Sequence, residues 1–153
     1  MITILIVYHS QSGHTEQMAR AVAKGAGEME GVEVVLKKAF DAREEDLINC
    51  DGLVIGSPEY FGYMSGAVKD LFDRTYERLR GHKRIFRKPY AVFISAGNDG
   101  QGSLSSIEKI GLGYQFRKVQ PPIISKGPLT EAVLEQCEEL GRTLAAGCEA
   151  GIY

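Results

Sequence analysis

Ser10, Gln11, Ser12, Gly13, His14 and Thr15 gather hydroxyl, amide and imidazole groups around a single glycine. They follow Ile2-Thr3-Ile4-Leu5-Ile6-Val7, a β-branched apolar run of the kind that a strand covered on both faces requires. Behind them Met18, Ala21, Val22, Gly25, Ala26 and Met29 recur at three- and four-residue steps, which predicts a helix with one apolar face. A strand that ends in such a loop at a helix N-terminus directs backbone N–H groups, hydroxyls and the positive end of a helix dipole to one point. That arrangement suits a phosphate. No Lys or Arg lies between Tyr8 and Gln17, so neutral donors would hold the anion. The endings of a Walker loop and of the three-glycine dinucleotide fingerprint are both missing.

Two further loops carry chemistry. Ser57-Pro58-Glu59-Tyr60-Phe61-Gly62-Tyr63-Met64-Ser65-Gly66 follows the apolar run Gly52–Gly56, and Ala96-Gly97-Asn98-Asp99-Gly100-Gln101-Gly102 follows Tyr90–Ser95. Both runs read as buried strands. His9, His14 and His82 form no ligand cluster, and none of the three cysteines has metal-ligand spacing.

The remaining elements place these loops. Val32–Lys37 reads as a second strand, after a helix ended by Glu30-Gly31. Asp41 and Glu44 are spaced as a capping box for a short helix reaching about Leu47. Val68, Leu71, Phe72, Thr75 and Leu79 stripe a third helix. Ser105 and Glu108 are spaced as another box, for a helix with Leu104, Ile107, Gly111 and Tyr114 inward. Val119–Ile124 predicts the last strand, which Pro121-Pro122 confines to an edge. From Leu129 the stripe Val133, Cys137, Leu140, Gly141, Leu144, Ala145 and Cys148 predicts a long final helix. Alternating strands and helices imply an α/β fold, a three-layer, doubly wound, five-stranded parallel sheet with right-handed crossovers. Strand order 2-1-3-4-5 places a ligand beyond the carboxyl ends of strands one, three and four, where the three loops lie. Residues 1–153 are expected to form one domain.

The loops carry a resemblance. Ser10-Gln11-Ser12-Gly13-His14-Thr15 is similar to the hydroxyl-x-hydroxyl-Gly-x-Thr loop with which flavodoxin-like proteins hold the phosphate of FMN. Gly56-Ser57-Pro58-Glu59-Tyr60-Phe61-Gly62-Tyr63-Met64 resembles the corresponding block of WrbA-like NAD(P)H:quinone oxidoreductases, and related blocks occur in NADPH-dependent FMN reductases. The likeness implies that Ser10 to Thr15 bind the phosphate. It implies that Pro58, Glu59, Tyr60, Phe61 and Gly62, with Ser95, Ala96, Gly97, Asn98 and Gly102, border the flavin ring. The ring is a flat apolar plate with a polar edge, and needs aromatic walls with a few backbone partners. No side chain reads as an acid, base or nucleophile, and Glu59 reads as a solvated charge. The resemblance implies an FMN-dependent oxidoreductase that takes electrons from NAD(P)H and passes them to a quinone or similar acceptor. A flavodoxin-type electron carrier is the alternative. The chain departs from the family in lacking Trp, an aromatic in the third loop and the long insertion of long-chain flavodoxins. WrbA-like proteins are also usually longer.

Composition sets outer bounds. A net charge of −2 argues against a general nucleic-acid binder. No apolar run is long enough to span a bilayer, and the chain starts on a core strand, so the cytoplasm is expected. Cys137 and Cys148 would stand roughly 16 Å apart along one helix, beyond disulfide reach. Arg78-Leu79-Arg80-Gly81-His82-Lys83-Arg84-Ile85-Phe86-Arg87-Lys88 reads as a solvated surface at the far end of the sheet from the loops. The expected partner is a small-molecule or protein redox partner, with homo-oligomerisation left open.

Overall fold

The computed structural model describes residues 1–153. In chain order the elements are β1 (Ile2–Tyr8), α1 (His14–Gly27), β2 (Val32–Lys38), a 3-10 turn (Ala39–Asp41), α2 (Glu44–Asn49), β3 (Gly52–Tyr60), β4 (Tyr63–Met64), α3 (Gly66–Leu79), β5 (Pro89–Ala96), α4 (Gln101–Tyr114), β6 (Arg117–Lys118), β7 (Ile123–Lys126) and α5 (Glu131–Glu149). The apolar run of β1 lies between two parallel partners, Ile4 pairing with Val34 of β2 and with Gly52 of β3. Hydrogen-bonded along both edges and packed on both faces, Ile4, Leu5, Ile6 and Val7 are buried. Their continuous hydrophobicity is what such a position demands.

The sheet runs β2-β1-β3-β5-β6, with β7 pairing further along β5 and β4 folded back antiparallel on β3. With β6 and β7 counted as one interrupted fifth strand, this is the predicted five-stranded order. The interruption is a correction to Val119–Ile124 as a single strand. Pro121 and Pro122 lie between the two pieces, and neither has an N–H to give a ladder.

Alternate residues of the strands feed two cores. Leu5, Val7, Leu53, Ile55, Val92 and Ile94 pack with Leu71, Phe72, Leu104 and Ile107. Ile4, Ile6, Val54, Ala91 and Phe93 pack with Met18 and Val22 of α1 and with Cys137 and Leu144 of α5. The small residues of α1 let α5 approach it: a Cβ on Gly25 would lie 1.8 Å from the Glu138 carbonyl oxygen, and one on Gly141 2.0 Å from that of Val22.

Both predicted capping boxes are replaced. At α2 the Asp46 carboxylate accepts from the backbone N–H of Arg43 (2.8 Å), while Asp41 belongs to the preceding turn. Helix α4 begins at Gln101, so Ser105 already lies inside it. Helix α1 ends at Gly27, ahead of Glu30-Gly31. The basic run is not wholly solvated either. Ile85 and Lys88 are buried, and Lys88 donates to the carbonyls of Ile48 and Cys50. Arg84 donates to the carbonyls of Ile48, Asn49 and Cys50 and pairs with Asp51 at 3.2 Å. These cations satisfy carbonyls left over where α2 ends. All three cysteines are unpaired thiols, and burial pushes Cys137 up to about 12 and Cys148 up to about 11. No helix is long and apolar enough to cross a membrane.

Candidate functional site

The first loop leaves β1 with the His9 N–H donating to the Gly56 carbonyl (3.2 Å). Ser10 Oγ then accepts from the Gly13 N–H (3.1 Å), closing a short turn. Gly13 has a φ of 101°, in the left-handed region that favours glycine, and its carbonyl accepts from Gln17 N–H (3.0 Å) to start α1. The backbone N–H groups of Ser12, His14, Thr15 and Glu16 make no hydrogen bond within the chain. Thr15 is buried in the first turn of α1, whereas Gln11 and Ser12 are exposed. Glu16, the acid in that turn, is engaged elsewhere: it accepts from the Tyr8 hydroxyl (3.0 Å) and faces Arg20 at 3.8 Å. The loop thus combines several unspent donors with a helix terminus, and the carboxylate of its first helical turn is partly neutralised, while Asp41 lines the far side of the adjoining cleft. That is the donor set of an anion cradle.

The second loop is largely a β-hairpin. Strand β3 continues four residues past Gly56, so Pro58, Glu59 and Tyr60 lie on a strand and Tyr60 pairs with Tyr63. Phe61 (φ 52°) and Gly62 (φ 72°) form the two-residue turn, both in the left-handed region that a type I′ hairpin requires. Phe61 is fully exposed at the tip. An aromatic in this conformation costs about 1–3 kcal/mol.

The hairpin is braced against α4. Glu59 Oε2 accepts from the N–H groups of Gly102 (3.1 Å) and Ser103 (3.3 Å), so this carboxylate caps a helix rather than standing free in solvent. Ser103 Oγ donates to the Pro58 carbonyl (3.1 Å), and Met64 N–H donates to Ser106 Oγ (3.1 Å). Ser57 Oγ accepts from Ser65 N–H (2.9 Å). A Cβ on Gly102 would lie 1.9 Å from the Gly62 carbonyl oxygen, so the hairpin turn touches the helix backbone directly.

The third loop follows β5, where Ser95 lies opposite Pro58 in parallel register. Ala96 is buried, while Gly97 and Asn98 are exposed. A side-chain bond joins the first loop to the hairpin, Tyr60 OH donating to Gln11 Oε1 (2.9 Å). The His9 ring stands edge-on to Tyr60 (6.2 Å) and to Phe40 (6.3 Å), and burial lowers its pKa, which favours the neutral imidazole. Tyr60→Phe should therefore loosen the first loop and weaken ligand affinity about three- to tenfold without unfolding the protein, as a neutral hydrogen bond contributes about 0.5–1.5 kcal/mol. Titration of the variant checks this; unchanged affinity would make the bridge incidental.

Ser10 to Thr15, Pro58 to Gly62, Ser95 to Asn98 and Gly102 thus meet at the carboxyl ends of β1, β3 and β5. This is the switch point of the sheet, with β2 on one side of β1 and β3 on the other. A cleft of about 480 Å³ opens beside the first loop, lined by Tyr8, His9, Ser10, Gln11, Lys38 and Phe40 among others. Lys38 and Phe40 are neighbours the sequence reading omitted, although Lys38 directly follows the predicted second strand. Parallel pairing of Tyr8 with Lys38 puts them there. The serines bracing the hairpin, Ser103 and Ser106, were also missed.

Residues 2–115 match the family described as NADPH-dependent FMN reductase. The chain belongs to that family. It is 33% identical to a flavodoxin of Aquifex aeolicus (strain VF5), over 93% of this chain and 84% of that protein. It is 32% identical to an NAD(P)H dehydrogenase (quinone) of Acidithiobacillus ferrooxidans (strain ATCC 53993 / BNL-5-31), over 92% of this chain and 75% of that one. A solved flavodoxin, WrbA-like protein from Agrobacterium tumefaciens superposes with a TM-score of 0.82, covering 98% of this chain and 99% of that chain at 21% identity. The fold of this FMN reductase family member is therefore flavodoxin-like, as the order of its loops and strands led us to expect.

Proposed function

We propose that the chain binds FMN noncovalently and works as an oxidoreductase that draws electrons from NAD(P)H and delivers them to a quinone or similar acceptor. The observation that carries the reading is the first loop: unspent backbone donors, the free hydroxyls of Ser12 and Thr15, and a glycine at positive φ, all at one helix terminus. These residues fit a terminal phosphate held by a loop that itself contains no Lys or Arg, with Lys38 lining the adjoining cleft. Pro58 to Gly62 on the hairpin, and Ser95, Ala96, Gly97, Asn98 and Gly102, would border the ring. When bound, FMN supplies hydride and one-electron chemistry. The protein's part is to hold and orient it. Glu59 is committed to the N–H groups of Gly102 and Ser103, so no acid–base role is assigned to it. The family match and the quinone-reducing relative support the enzymatic reading. The three unpaired thiols support a reducing, cytoplasmic setting.

Steady-state oxidation of NADH and NADPH by the FMN-loaded protein, with and without a quinone, tests the reading. Quinone-dependent turnover is expected. A flavodoxin-type carrier is the second reading, favoured by the similarity to a flavodoxin over 84% of that protein's length. It predicts bound FMN that is reducible by dithionite but inert to both nicotinamides. In either case FMN should bind with a dissociation constant of micromolar or better. FAD should bind less tightly, because the loop fits a terminal phosphate. Stronger FAD binding by calorimetry would count against the cradle.

A further inference from the structure

At the opposite end of the sheet, about 20 Å from the loops by strand length, a second cavity of about 240 Å³ is lined by Lys83, Arg84, Arg87 and Lys88, with Phe86 and Tyr153 beside them. Asp51 is its one acidic lining residue, and Asp51 is already spent on Arg84 and on the Thr3 N–H (2.8 Å). The two lining thiols, Cys50 and Cys148, are pushed upward by burial and add no negative charge near neutral pH. In a chain whose net charge is −2, four basic side chains therefore line a cavity with one acidic side chain, which is already engaged.

Their roles divide. Arg84 and Lys88 are bound to the carbonyls of Ile48 and Cys50, whereas Lys83 and Arg87 have no acidic partner. Arg87 is held at a φ of 60°, its N–H donating to the carbonyl of Gln115 (2.7 Å), itself at 62°. A non-glycine residue fixed in this region is a place to look for function. The Nε of Arg117, whose strand pairs with Pro89, is buried without any hydrogen-bond partner, and its guanidinium stands 6.0 Å from the Tyr153 ring centre.

We propose that this cavity is an anion site for a phosphomonoester or diphosphate group, separate from the flavin site. A dianion or trianion matches several converging cations better than a single carboxylate does, and guanidinium forks suit phosphate oxygens. The volume admits a phosphate group with a small part of what it is attached to, and Phe86 and Tyr153 give that part an apolar wall.

The test is titration of 15N-labelled protein with pyrophosphate at constant ionic strength, with FMN saturating so that the first loop is occupied. Saturable amide shifts are expected over residues 83–89, and chloride at matched ionic strength should not reproduce them. Arg87→Gly removes the guanidinium and relieves the positive φ, so thermal unfolding should show stability unchanged or raised. Combined with Lys83→Ala it should weaken pyrophosphate at least tenfold and leave FMN affinity untouched. Cosedimentation with phosphatidic-acid vesicles, reversed by pyrophosphate, would assign the phosphate to a lipid headgroup. No cosedimentation, with pyrophosphate bound, would assign it to a free compound. Linear shifts, shifts confined to residues 10–16, or wild-type binding by the double variant would overturn the site. Failure of FMN to bind would remove the flavin reading but leave shifts at 83–89 interpretable.

Discussion

Thr15→Ala and Ser12→Ala should each weaken FMN binding by roughly ten- to a hundred-fold, because a hydrogen bond to a charged group contributes about 1.5–3 kcal/mol. With no Lys or Arg between Tyr8 and Gln17, no single group dominates the cradle, and the cost is spread over hydroxyls and backbone donors. Riboflavin, which has no phosphate, should be nearly indifferent to both changes. That contrast separates a phosphate contact from general damage to α1. Gly13→Val should be worse than either, since a β-branched residue is strained at a φ of 101° and the turn closed by Ser10 depends on that conformation. Arg80→Ala and Lys83→Ala should leave FMN affinity unaltered, as they follow α3 at the far end of the sheet. Calorimetric titration decides the matter. If the Ser12/Thr15 double variant bound FMN like the wild type while Arg80→Ala abolished binding, the phosphate would lie elsewhere.

Elements governed by local pattern were legible in the sequence. The apolar run of β1, the stripes of α1, α3 and α5, and the three loops after β1, β3 and β5 follow from residue periodicity and glycine placement. What escaped was set by partners distant in sequence. The α4 cap comes from Glu59, 43 residues before Gly102, whereas local spacing points to Ser105 and Glu108 instead. The apolar run stops at Gly56, where the loop was expected to begin, yet a proline holds the preceding residue extended, and Ser57 carries β3 forward to Tyr60. The hairpin lacked its usual signal because its turn is Phe61-Gly62 rather than Asn-Gly. Lys88 read as surface because nothing local reveals that its ammonium is compensated by carbonyls some forty residues earlier in the chain. The placing of the three loops at one end of the sheet was therefore readable, whereas the long-range bonds that brace them were not.

Gly102→Ala sets two opposing effects against each other. Alanine is favoured over glycine within a helix by about 1 kcal/mol, so local propensity alone predicts a stabilised α4. Its Cβ, however, would lie 1.9 Å from the Gly62 carbonyl oxygen, a separation that real contacts do not sustain and that backbone on both sides cannot yield cheaply. The hairpin must move away, which strains the Glu59 bonds to Gly102 and Ser103 and the Ser103 bond to Pro58. Overpacking costs about 1–3 kcal/mol, and loss of a helix cap about 1 kcal/mol more. The net effect should thus be a lower denaturation midpoint. FMN affinity should fall as well, because the displaced turn carries Phe61 and Gly62, two of the residues proposed to border the ring. Glu59→Gln separates the contributions, since the amide oxygen can still accept from both N–H groups and should retain most of the affinity. Glu59→Ala cannot accept, and should fall between that variant and Gly102→Ala. Should Gly102→Ala match the wild type in both unfolding and FMN titration, the contact between the hairpin turn and α4 would not be what shapes the site.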